Sequence, residues 1–154
     1  VKYRSICMEF DFNELFNDSY EFVLNNSDEF FDSFITTFIN SSPLIKEAFR
    51  NTDMDNQKSM LKKAITHMVI FFTTKRASPY LIAISKAHIE THKITPHLYE
   101  NFINTLIATL AEIEPRFSHE TAVAWRITLA PGIEFMKHMS LKDVEMKNKS
   151  AANL

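Results

Sequence analysis

The stretch whose residue types could do chemistry is Ser85-Lys86-Ala87-His88-Ile89-Glu90-Thr91-His92-Lys93-Ile94-Thr95-Pro96. It places an imidazole near the end of one helix. Thr95 and Pro96 read as the cap and first turn of the next helix, because threonine can take an orphan backbone N–H and proline tolerates the first helical position. His88 therefore stands just before a sharp corner, where the helices on either side can build a pocket around it. A neutral imidazole in that setting is a candidate metal ligand, although a lone histidine on a helix is more often a surface or satisfied core residue. The surrounding pattern has to decide between the two.

Other chemistries find no support. There is no nucleophile–base–acid arrangement, a single glycine rules out a glycine-rich phosphate loop, and no cysteine or carboxylate cluster suggests zinc or calcium. The net charge of -2 is made of mixed rather than blocked charges, so nucleic acid is not an expected partner. Cys7 is the only cysteine and reads as an incidental free thiol, which excludes a disulfide framework. No apolar run is long enough for a signal peptide or a membrane span, so the expected setting is the cytoplasm, with no membrane partner. A length of 154 residues fits one domain with a sizeable core.

The elements that must position His88 are helices. One glycine in 154 residues argues against hairpins and sheet bulges, while 14 phenylalanines supply apolar volume for a core or for a flat hydrophobic pocket. Asp11 and Glu14 resemble a capping box before a first helix over 12–25, whose inner face is apolar except for Ser19. Ser27 and Asp28 offer the next cap, before the stripe of Phe30, Phe31, Phe34, Ile35, Phe38 and Ile39. Ser42-Pro43 opens a short segment ending on Phe49. Asp53 caps a long helix in which Gln57, Leu61, Ala64, Ile65, Met68 and Phe72 share a face. Ser78-Pro79 starts the helix that carries Ile84 and His88, and Thr95-Pro96 the one that carries Leu98, Tyr99, Phe102 and Ile103. Ser118 caps the last helix, in which Pro131-Gly132 should produce a bend. Met54, Met60 and Met68 read as gap fillers. His67 lies too far along the long helix from Gln57 to share a site with it, and His97, His119 and His138 read as surface groups.

Taken together, Phe34 to Pro43 (FITTFINSSP), Phe49 to Leu61 (FRNTDMDNQKSML), Lys86 to Tyr99 and Ala124 to Met136 (AWRITLAPGIEFM) resemble the globin family, specifically the single-domain bacterial haemoglobins related to the globin part of flavohaemoglobins. The likeness covers nearly the whole chain and rests on the order and spacing of the four pieces. It implies an all-α globin fold, a three-over-three helical sandwich around a haem pocket. The cofactor it implies is haem b, with iron ligated by His88. Phe49 matches the aromatic that stacks on haem, Gln57 the distal polar residue, and Leu61 the apolar residue over the ligand site. His92 falls where many globins place a propionate partner, and is equally readable as a solvated side chain. Ile94, Tyr99 and Phe102 fall at haem-plane contacts, with Ile84 one turn before His88 on the same face. Trp125 matches a packing residue of the last helix.

A haem held by one imidazole leaves a position open for a diatomic gas, O2, CO or NO. A carboxamide N–H from Gln57 would favour the more polar ligand by about 1 kcal/mol net, roughly fivefold to tenfold in affinity. Two positions depart from the family pattern. Ile35, or Phe34 if the register slips by one, stands where many bacterial relatives have a distal tyrosine, and Leu129 replaces a tyrosine of the last helix. The departures predict moderate oxygen retention and weaken an enzymatic reading. The leading expectation is reversible gas binding, as in oxygen transport. The alternatives are a gas-sensor domain with a signalling partner and a nitric oxide dioxygenase or peroxidase-like activity served by a reductase. Expected boundaries are an N-terminal lead over 1–11, the globin domain over 12–140, and a polar, frayed tail over 141–154, in a monomer or homodimer whose iron coordination at rest stays open.

Overall fold

A computed structural model describes residues 11–90 and 94–153. The readings of Cys7 and His92 lie outside the described residues. Among the described residues there are seven helices: α1 (Phe12–Asn25), α2 (Ser27–Asn40), α3 (Pro43–Ala48), α4 (Met54–Thr74), α5 (Pro79–Glu90), α6 (His97–Ile113) and α7 (His119–Ala152). None is long and apolar enough to cross a membrane.

Most helix starts follow local sequence. The Asp11 carboxylate accepts from the N–H groups of Asn13 and Glu14, Ser42 from Leu44, Asp53 from Asp55, Ser78 from Leu81, and Ser118 from Thr121. Each satisfies an orphan donor of a first turn. Two starts differ from the expected ones. α2 begins at Ser27 with Asn26 as its cap residue, and the Asn26 amide donates to the Phe22 carbonyl instead of capping, so α1 runs into α2 with a single residue between them. α6 begins at His97: the Thr95 hydroxyl bonds the His97 ring at 2.9 Å, and the first turn closes through the carbonyls of Thr95 and Pro96. At the C-terminus, the stretch over 141–152 that was expected to fray continues α7.

α7 is the hub, packed against α1, α4, α5 and α6, while α2 packs on α6 and α3. One core runs through all of it, centred on Phe30, Phe31, Phe34, Leu81, Leu106, Leu110, Trp125 and Leu129. Ser19, the polar member of the inner face of α1, accepts from Trp125 Nε1 at 2.7 Å and donates to Glu114 Oε2 at 2.7 Å. Phe16 and Tyr20 pack edge-on against the same indole. α1 is thereby fixed to α7 and to the α6–α7 corner at once.

α7 runs on through Pro131 and Gly132. Inside a helix each is unfavourable against alanine, by roughly 3 and 1 kcal/mol respectively, so tertiary packing must compensate. At Gly132 the helix passes close to Met68 of α4, and α4 and α7 cross there.

Candidate functional site

The helices enclose one large apolar cavity, about 970 Å³ when counted out to its open mouth. Its walls follow helical periodicity. Gln57, Leu61, Ala64 and Met68 of α4 recur at four-, three- and four-residue spacing, so one face of α4 forms one wall. Ile84 and His88 are one turn apart on α5, and Ile133 and Met136 one turn apart on α7. Phe38 from α2, Ile45 and Ala48 from α3, and Phe49 just after α3 close one end; Ile94 with Leu98, Tyr99 and Phe102 of α6 close another side. Apart from three methionines, the lining side chains with polar atoms among the described residues are Thr52, Gln57, His88 and Tyr99.

His88 is half-buried, and its Nδ1 lies 3.0 Å from the Tyr99 hydroxyl. The corner behind it is closed by Ile94 N–H donating to the His88 carbonyl at 2.8 Å. Burial pushes the Tyr99 hydroxyl up to about 12, so it keeps its proton at physiological pH. A neutral imidazole that donates from Nδ1 to Tyr99 Oη keeps the lone pair on Nε2, the form that can ligate a metal. Among the described residues no three His, Cys, Asp or Glu side chains gather in a way that could hold a bare metal ion.

Of the residues singled out from sequence, Phe49, Gln57, Leu61, Ile84, His88, Ile94, Tyr99 and Phe102 all meet at this cavity. Phe34 and Ile35 do not. They are buried in the core, with Phe34 stacked between Phe30 and Phe38 and edge-on to Phe102, and it is Phe38, one turn further on, that reaches the wall. The sequence reading set Phe34 and Ile35 in the distal pocket, whereas Phe38 is the residue of this stripe that lines the cavity. Sequence reasoning also passed over Thr52, and over Met60 and Met68, read as gap fillers. The same is true of Ile133 and Met136. For Met68 the signal was there, one face shared with Gln57, Leu61 and Ala64. His67 is held apart from the cavity, its Nδ1 2.8 Å from the Ser78 hydroxyl and its ring stacked on Tyr80.

Among the described residues the fold is all-helical, with an apolar cavity that has the His88 imidazole in its wall and the Gln57 carboxamide on the lining face of α4. The chain belongs to the globin family: the family description Globin matches residues 32–131. Its fold is similar to that of a crystallised protein of Pseudomonas aeruginosa PAO1, PA3967, described as structurally highly homologous to a human hemoglobin. The two are 30% identical with a TM-score of 0.76, over 84% of this chain and 98% of that one. No curated protein matches the chain.

Proposed function

We propose that the cavity holds haem b through His88 and binds a diatomic gas reversibly, with oxygen as the leading ligand. The observation that carries this reading is the His88 imidazole, its Nδ1 3.0 Å from the hydroxyl of the buried Tyr99, in the wall of a mostly apolar cavity. A macrocycle would supply the iron's in-plane ligands, so His88 alone would suffice from the protein. An apolar slot of this size suits a flat, mostly hydrocarbon macrocycle. Haem held by one imidazole supplies an iron with a further position for O2, CO or NO.

The chain's own residues would do the rest. The Tyr99 hydroxyl would orient the His88 ring through Nδ1, and with the proton on Nδ1 the ring would present Nε2 to the iron. Phe49, Leu61 and Phe102 exclude water from the slot. Gln57 lines the same cavity from the first turns of α4, and its carboxamide N–H is a donor for a ligand carrying partial negative charge. That donor discriminates between gases, because a less polar ligand such as carbon monoxide gains less from it.

The test is the visible absorption spectrum of the haem-supplemented protein and of His88→Ala in ferric, dithionite-reduced and carbon monoxide forms. We expect the wild type to give a sharp Soret band, a single broad visible band on reduction, and a clear shift with carbon monoxide. The variant should retain little haem. A wild type with no Soret band, or a variant with unchanged haem content and spectrum, would remove the assignment. Split visible bands before any gas is added would indicate an internal ligand and favour sensing or electron transfer over carriage.

A further inference from the structure

We infer that Gly132 sets the depth of the cavity, acting through Met68. It is the chain's only glycine, and it lies in the interior of the longest helix, where no positive φ calls for it. Its use there is therefore space. A Cβ built on Gly132 would stand 2.6 Å from Met68 Cγ, 3.0 Å from Met68 Cβ and 3.3 Å from Met68 Cα. All three nearest atoms belong to one residue, and that residue lines the cavity. Ile133 and Met136, which flank this contact on α7, line it as well. The bare backbone at Gly132 lets Met68 lie back against α7, and the crossing of α4 and α7 forms the inner wall.

Met68 is 3% exposed and set in a packed core, so a side chain at position 132 has one easy place to send the thioether, which is the cavity. Gly132 is thus a positioning residue for whatever flat ligand the pocket takes, and the smallest change there makes the pocket shallower. Only the identity of that ligand rests on the haem reading; the contraction is a property of the empty protein.

The experiment compares the wild type, Gly132→Ala, Met68→Ala and the double variant. It measures the affinity of the haem-free protein for the apolar dye 8-anilinonaphthalene-1-sulfonate, the rate of haem loss from the loaded protein, and the melting temperature. We expect Gly132→Ala to weaken dye binding and speed haem loss about tenfold in the Met68 background. In the Met68→Ala background the 2.6 Å contact with Cγ has gone and only those with Cβ and Cα, at 3.0 and 3.3 Å, remain, so the same substitution should change both by no more than about threefold, a clear coupling between the two sites. If Gly132→Ala alone does not fold while the double variant folds and binds dye like Met68→Ala, the obstruction again resides in Met68 and the proposal stands. Equal losses in both backgrounds would overturn it, as would a lowered melting temperature with dye affinity unchanged, or failure of the double variant to fold. If the dye pattern holds while the wild type takes up no haem, the haem reading fails and this one survives.

Discussion

The contact between His88 and Tyr99 concentrates the chemistry of the site in two side chains. Tyr99 is 6% exposed and stays protonated up to about pH 12, so the hydroxyl facing Nδ1 does not change charge over the working range. Tyr99→Phe removes that hydroxyl while keeping the ring that lines the cavity. Partners of a metal-ligating histidine typically contribute about tenfold to a hundredfold in metal affinity. Haem transfer from Tyr99→Phe to a scavenger apoprotein should therefore be at least about tenfold faster than from the wild type. An unchanged rate would mean that the corner around His88, and not the hydroxyl, holds the ring. Across the cavity, Gln57→Leu replaces the carboxamide with an apolar group of similar size. Stopped-flow measurements should show oxygen release faster by roughly fivefold to tenfold, with carbon monoxide release barely altered. Equal effects on both gases would take Gln57 out of the ligand's reach.

At the level of the helices, Ser19 joins three elements through two hydrogen bonds of 2.7 Å. Its one proton goes to Glu114, and its oxygen accepts from Trp125. Ser19→Ala would leave both a buried indole N–H and a buried carboxylate without this partner. With about 1–3 kcal/mol for each of the two buried polar groups left unsatisfied, the variant should lose roughly 2–6 kcal/mol in urea unfolding. A loss below that range would mean that water replaces the hydroxyl. Burial also pushes the Glu114 carboxyl above its ordinary value of 4.5, against the opposing pull of the Ser19 hydrogen bond. The folded state then holds this proton more tightly than the unfolded chain does. Its contribution to stability is complete below about pH 4.5 and is lost as the pH rises through the folded-state value. Glu114→Gln keeps an acceptor for Ser19 and cannot ionise. The stability of the variant relative to wild type should therefore rise between about pH 4.5 and neutrality. Parallel curves for the two proteins would show that the carboxylate is adequately solvated.

Helix starts were legible in the sequence wherever the cap is a matter of a few adjacent residues, as at Asp11, Ser42, Asp53, Ser78 and Ser118. The starts of α2 and α6 were not, because Asn26 and Thr95 spend their side chains on a carbonyl and a neighbouring ring. The cavity residues on α4 and α5 were readable from three- and four-residue spacing. The choice of Phe38 over Phe34 was not, since both lie on one stripe and only the placement of α6, with Phe102 packed against both rings, decides which reaches the pocket. Gly132 was read as a bend because local rules see only its own helix. Its closest neighbour is Met68, 64 positions earlier in the chain.

Over the whole molecule, α7 gathers the other helices along only part of its length. Its 34 residues span about 51 Å. Trp125, Leu129, Ile133 and Met136 are buried, whereas Leu141 and Met146 are 56% and 71% exposed. We place the end of the cooperative unit near Ser140, the last residue of the helix that is buried among those described. Removing residues 141–154 should then change unfolding free energy by no more than about 0.5 kcal/mol, the usual range for surface changes. Haem should report the same boundary independently. A ligand that binds only the folded state adds about 2.7 kcal/mol at one hundred times its dissociation constant. That increment should be equal in the full and shortened chains and absent in His88→Ala. A smaller increment in the shortened chain would mean that the end of α7 supports the cavity from outside, through α4 or α5. The functional unit would then extend to the last turn of the helix.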